Sequence, residues 1–263
     1  MRSYLLDKRL ATNTDYTMEE DTALVITEIG TDDTAKVVGT VDGVPCVEFI
    51  TDIAALITNP SNRNPLFNLG DLYIVVPQNK ILRFKGTEGS FVRIKGHLLK
   101  FGPGESLPAS YVARFNEQGK KFYSYQAGAL EGATTLAAGS ATNLISFECP
   151  AGEKWTFDSY LMAQATVSAS KDYDITIRLL KQDQPLDNLL NSKLLLGLTQ
   201  HATPYPPNDT DGAVAANLKD KKIELNPGEV LRIQAVNTSE SEKTLDAETS
   251  KALIVGVQEY LKP

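Results

Sequence analysis

Apolar and polar positions alternate along this chain in short stretches, and the same succession of stretches runs twice. The first pass reads Ala23-Leu-Val-Ile-Thr-Glu-Ile29, then Lys36-Val-Val-Gly-Thr-Val-Asp-Gly-Val-Pro45, then the apolar run Phe49 to Ile57. It continues with Leu72-Tyr-Ile-Val-Val-Pro77, Lys80-Ile-Leu-Arg-Phe84 and Phe91-Val-Arg-Ile-Lys95. The second pass reads Lys154 to Leu161, Tyr173 to Leu180, the turn Lys181-Gln-Asp-Gln-Pro185 and a Leu-rich run from Leu189 to Leu198. Lys222 to Pro227, Glu229 to Ile233 and Ala252 to Val257 complete it. Residue identity between the passes is low; the order of elements is what repeats.

Most of these stretches predict strands. Val92, Ile94 and Leu98 are separated by Arg93 and Lys95, and Ile175, Ile177 and Leu179 by Thr176 and Arg178. A period of two puts one set of side chains on a wet face and the other in a core. Leu231, Ile233 and Ala235 alternate with Val230, Arg232 and Gln234 in the same way.

Turns with proline and glycine separate the strands: Cys149-Pro-Ala-Gly-Glu153, Leu225-Asn-Pro-Gly-Glu229 and Phe101-Gly-Pro-Gly-Glu105. Proline presets φ in a turn, glycine supplies the positive φ that follows, and proline cannot donate to a ladder. Val76-Pro-Gln-Asn-Lys80 reads as the same turn, with Asn79 as the permissive residue.

Two inserts have helical spacing. Ile50, Ile53, Ala54 and Ile57 share one face, stopped at Asn59-Pro60. Leu186, Leu189, Leu190, Lys193 and Leu194 share another, stopped at Gly197.

The pattern divides the chain into an N-terminal arm over 1–20, a first β-sandwich over 21–127, a linker or edge strand over 128–142, and a second sandwich over 143–263. The arm carries a short helical start at Tyr4-Leu5-Leu6, and the linker is rich in Ala, Gly, Ser and Thr. At 263 residues each half is long enough for a core of its own.

The net charge of −7, with no dense Lys/Arg cluster, speaks against binding along a nucleic acid. Two cysteines, Cys46 and Cys149, are too few for a disulfide framework and fit synthesis in a reducing compartment. The N-terminal stretch lacks the long apolar region of a signal peptide, and no run is long enough to span a bilayer. The sequons at Asn208 and Asn237 therefore read as chance patterns.

Catalytic chemistry is sparse. The two histidines, His97 and His201, have no metal-ligand spacing, and there is no nucleophile elbow. Gly102-Pro-Gly-Glu-Ser106 lacks the Gly-Lys-Ser/Thr ending of a phosphate loop, and the carboxylates Glu19-Glu20-Asp21 and Asp32-Asp33 read as solvated turns. An enzyme is therefore not expected.

The long loop from His201 to Gly212 holds the one candidate metal site, Asp209 and Asp211 as weak calcium ligands. Pro207 and Leu218 stand where an EF-hand needs an oxygen ligand, so the site is a looser one. Tyr111, Phe115, Phe122, Tyr123 and Tyr125 cluster between the halves, either as filler of a core or as a sugar-binding platform.

Two tandem sandwiches with matched inserts, proline-led strands and an N-terminal arm resemble the double jelly-roll major capsid proteins of icosahedral phages with an internal membrane, of the corticovirus type. The resemblance covers nearly the whole chain. It implies an all-β fold of two tandem jelly-roll β-sandwiches with short helical inserts. It further implies homotrimers of pseudo-hexagonal outline that tile a virion shell over a membrane, with other virion proteins at the vertices and no direct contact with nucleic acid. Such a chain is made in the host cytoplasm, and calcium stabilisation of the shell is an expectation of the same resemblance.

On that basis the inserts Ile50 to Ile57 and Leu189 to Leu196 are expected at domain or subunit interfaces. Arg2, Lys8 and Arg9 of the arm are expected to touch a neighbour or anionic lipid. A decoration protein that binds a preformed phage head and a carbohydrate-binding module are the competing readings.

Overall fold

The computed structural model describes residues 1–31, 33, 36–49, 66–165, 167, 175–186, 213–218, 222–247 and 250–261. The two expected helical inserts, at 50–57 and 189–198, lie outside the described residues, as do His201, Asn208, Asp209 and Asp211. The described chain divides into two compact units that meet between Ser124 and Tyr125.

In the first unit one sheet holds β1 (Arg2–Ala11), β9 (Phe91–Lys100) and β3 (Thr22–Thr31) in that order. Both β6 (Phe67–Asn68) and β7 (Ile74–Val76) then pair with the far side of β3. The other sheet runs β2 (Asp15–Thr17), β8 (Ile81–Lys85), β4 (Val37–Val41), β5 (Val44–Phe49).

The second unit repeats this order. One sheet is β10 (Lys121–Ala129), β20 (Lys251–Tyr260) and β13 (Glu153–Gln164), with β16 (Ala213–Asn217) and β17 (Ile223–Leu225) on the far side of β13. The other is β12 (Ala141–Glu148), β18 (Val230–Asn237), β14 (Ile175–Lys181), β15 (Gln184–Pro185). A ribbon of β11 (Thr134–Leu136) and β19 (Lys243–Leu245) is added to it.

Each unit is one long hairpin wrapped on itself. Pairs β1–β9, β2–β8, β3–β6/β7 and β4–β5 are the rungs of that hairpin, and β9–β3 and β8–β4 form when it curls. That order, all antiparallel and split over two sheets, is a jelly roll. The second unit makes the same pairs in the same sense, so the protein is an all-β chain of two tandem jelly-roll β-sandwiches.

The tip of each hairpin is a two-residue turn with positive φ at both positions: Asp42 (49°) and Gly43 (80°), and Gln182 (51°) and Asp183 (59°). Such turns match the twist of the strands they join. The tips are tied down alike. The Asp42 N–H donates to the Ile81 carbonyl at 2.8 Å, and its carboxylate accepts the Ile81 N–H at 2.9 Å. The Gln182 N–H donates to the Val230 carbonyl at 2.9 Å, and its side-chain oxygen accepts the Val230 N–H at 3.3 Å.

The expected turns are present, with positive φ at Asn79, Gly104, Gly152 and Gly228. Each jelly roll closes over its own core. Leu24, Ile26, Ile74, Leu82, Phe84 and Ile94 are buried in the first, and Trp155, Phe157, Leu161, Ile177, Ile233 and Ile254 in the second.

A shared irregularity marks both units. The β3–β9 register slips between Ile26 and Glu28, and the β13–β20 register slips between Thr156 and Tyr160. Opposite each slip stands a glycine at the sixth position of its strand, Gly96 in β9 and Gly256 in β20. A Cβ at Gly96 would collide with the Val25 carbonyl, and one at Gly256 would meet the Thr156 carbonyl and lie 2.6 Å from Phe157 Cα. Glycine is required where two backbones approach this closely.

Two local expectations are corrected. The N-terminal residues are not an arm with a helical start: Arg2–Ala11 pair with β9 along their whole length, Tyr4 lying opposite Leu98 and Leu6 opposite Gly96. Hydrogen bonding to a strand some ninety residues away fixes their conformation, which local spacing does not reveal. Within the 21–127 stretch read as the first sandwich lies an α-helix, α1 (Ala109–Gln118), in place of a strand.

Candidate functional site

Among the described residues no group of three or more His, Cys, Asp or Glu side chains is placed to hold a metal ion. His97 lies on β9, where its Nδ1 is 3.2 Å from Ser3 Oγ. Asp33 is buried, and its carboxylate accepts the Thr87 N–H at 2.6 Å and the Thr87 hydroxyl at 2.8 Å. These bonds, with Thr12 Oγ1 donating to the Thr87 carbonyl at 2.6 Å, tie three loops of the first unit together. Asp21, from the other acidic cluster, pairs with Lys100 at 3.5 Å.

Both thiols are free and buried. Burial pushes the Cys46 thiol up to about 12, and burial followed by the nearby Glu153 carboxylate raises that of Cys149. Neither is poised as a thiolate nucleophile. Asn237, the asparagine of one sequon, is wholly buried, and its Nδ2 donates to the carbonyls of Leu136, Ala137 and Ser241 at 3.1, 3.2 and 2.8 Å. It organises a loop and presents no amide to a glycosylating enzyme.

The aromatics between the halves do not form an exposed platform. Phe122 is buried, and Phe115 and Tyr123 pack against the first unit's core. Tyr123 meets Phe67 edge-on, with ring centroids 4.9 Å apart. Tyr111 covers Ala23, Val25, Leu99 and Phe101 on the outer face of the β1–β9–β3 sheet and meets Tyr73 edge-on at 6.0 Å. This outer cover explains the unbroken apolar run Ala23-Leu-Val-Ile26, which is buried on both faces.

The most developed polar arrangement lies where α1 meets β7. Pro108 precedes the helix and Gly119 ends it, with Tyr111, Arg114, Phe115 and Gln118 at helical spacing. Arg114 and Gln118 are the helix's buried residues. Gln118 Nε2 donates to the Val75 carbonyl at 2.9 Å, and its Oε1 accepts the Val75 N–H at 2.8 Å. Arg114 Nε donates to the Tyr73 carbonyl at 2.8 Å and Nη2 to the Leu72 carbonyl at 3.1 Å.

Desolvation by burial lowers the Arg114 pKa from its ordinary value. Its guanidinium donates to backbone carbonyls. The spacing of Tyr111, Phe115 and Gln118 was the signal for this helix; two polar residues on its buried face hid it.

The two ends of this sheet are protected differently. β1, the other edge, carries Arg2, Asp7, Lys8 and Arg9. Arg93 of β9 grips Asp7 with Nε at 2.8 Å and Nη2 at 2.6 Å, holding the carboxyl below the usual range. Arg9 lies over the Phe91 ring, 4.4 Å from its centroid. Among the described residues the most exposed large apolar side chain, Leu5 at 87 %, is on the same strand.

No known protein family matches the sequence, and neither does any curated protein. Among solved structures the chain aligns with a β-porphyranase of glycoside hydrolase family 86 from the human gut bacterium Bacteroides plebeius, at 8 % identity and a TM-score of 0.20. That alignment covers 98 % of this chain and 34 % of the other, so the chain spans about a third of that enzyme's length. It also aligns with infectious bursal disease virus, Gt strain, at 8 % identity and a TM-score of 0.24, over 99 % of this chain and 77 % of the other. Likeness this slight carries no functional inference, and the jelly-roll assignment stands on strand order. Among the described residues no helix is long and apolar enough to cross a membrane.

Proposed function

We propose that this chain is a structural virion protein, the major capsid protein of a shell built from double jelly rolls. The observation that carries this reading is the repetition of one wrapped-hairpin strand order in two units of a single 263-residue chain. Three such chains around a threefold axis present six sandwiches of the same topology. Their near-sixfold outline packs in a plane with one kind of chain.

In this role the protein's main partner is itself, first in the trimer and then between trimers. Other virion proteins fill the vertices, and a membrane or its proteins lie beneath the shell, with no direct contact to nucleic acid. The role is structural, not enzymatic, and calcium, with Asp209 and Asp211 as candidate ligands, stabilises the lattice.

Electron microscopy of the purified chain, with and without added calcium, tests the reading. Particles of pseudo-hexagonal outline that grow into sheets or closed shells are expected, with growth favoured by calcium. Dispersed single chains at every protein and calcium concentration would contradict it.

A further inference from the structure

Antiparallel strands expose every second residue's N–H and C=O along an edge. On β7 the rung Val25–Val75 is one where the Val75 groups point away from β3, and Gln118 bonds both of them. At the outward position before it, the Tyr73 carbonyl is taken by Arg114. At the one after it stands Pro77, which has no N–H, and whose carbonyl accepts the Lys80 N–H at 3.2 Å. The primary amide of Gln118 thus presents one donor and one acceptor to Val75, as the peptide groups of an added strand would.

The segment so covered is Leu72-Tyr-Ile-Val-Val76, uncharged and ending in three β-branched residues, Ile74, Val75 and Val76, each fully buried. A run of this composition pairs readily with an identical run from another chain. The β1 edge carries its own charges, whereas β7 has none and relies on the helix.

We infer that α1 acts as a surrogate edge strand, with Gln118 and Arg114 closing β7 against strand addition. When these two side chains are lost, β7 becomes a docking edge for the same segment of a second copy of this chain. The inference is independent of the capsid reading, because it concerns growth beyond whatever oligomer the unaltered chain forms.

The test compares the unaltered chain with Gln118→Ala, Gln118→Glu and Arg114→Ala/Gln118→Ala, by hydrogen exchange at the Val75 amide and by light scattering over a range of concentration. Gln118→Glu keeps the side-chain length and the acceptor for the Val75 N–H but loses the donor. It reads the edge in a folded chain even where the double variant does not fold.

At low concentration the Val75 amide is expected to exchange at least ~10-fold faster in the alanine variants, with Gln118→Glu in between. As concentration rises, mass grows beyond that of the unaltered chain and Val75 becomes protected again. A fluorescent peptide of residues 70–79 binds Gln118→Ala and not the unaltered chain. Unchanged exchange at Val75 in all three variants overturns the inference. So does an opened Val75 with no gain in mass and no peptide binding, or a gain in mass while Val75 stays open.

Discussion

Gly96 and Gly256 carry the clearest residue-level constraint in the molecule. Each faces a register slip in the neighbouring strand, and each leaves no room for a Cβ against backbone atoms. Backbone cannot move aside as a flexible side chain can. Gly96→Ala and Gly256→Ala are therefore each expected to lose about 1–3 kcal/mol or more, the range for overpacking a tight site. Urea unfolding monitored by Trp155 fluorescence and circular dichroism measures it. An alanine at either position with an unchanged midpoint would show that the slip relaxes at no cost. Sequence alone does not mark these two glycines as equivalents. Their equivalence follows only from the strand order.

At the scale of elements, the first hairpin tip and the proline turn before β18 are each locked by a carboxylate whose pKa the fold depresses. The backbone N–H of Asn226, with Lys181 beside it, holds the Glu229 carboxyl below the ordinary glutamate range. Lys80 and the Ile81 N–H do the same for Asp42. A carboxylate depressed in the folded state contributes stability that is complete above its unfolded value. That contribution is lost as pH falls through the folded value. The denaturation midpoint should therefore be level above about pH 5 and decline below about pH 4, where free Asp and Glu titrate. Glu229→Gln should flatten part of that decline, and an equally steep fall in the variant would remove Glu229 from the account.

Elements also separate what was legible in the sequence from what was not. Alternation at Ile175–Ile177–Leu179 and at Leu231–Ile233–Ala235 revealed β14 and β18, because one face of each meets a core. Proline and positive-φ residues revealed the turns, because their backbone demands are local. β1 was hidden, because an edge strand exposed on most of its length shows no alternation, and its conformation comes from pairing with β9. α1 was hidden because its buried face includes Arg114 and Gln118, polar side chains that serve the backbone of β7. No metal site is assembled among the described residues, and the candidate calcium ligands lie outside them.

For the whole molecule, what matters is that one topology is built twice. The matched pairs β1–β9 and β10–β20, β2–β8 and β12–β18, β4–β5 and β14–β15 show this, as do the corresponding backbone ties at the two hairpin tips. On the proposed capsid reading, a repeated domain would give a trimer six similar corners, and the net charge of −7 would oppose premature association of free chains. The most direct measurement is the mass of the purified chain in solution by light scattering. The capsid account predicts a stable trimer at three times 28.7 kDa, passing to larger assemblies as concentration rises. A strict monomer of 28.7 kDa across the whole concentration range, with and without calcium, would contradict it.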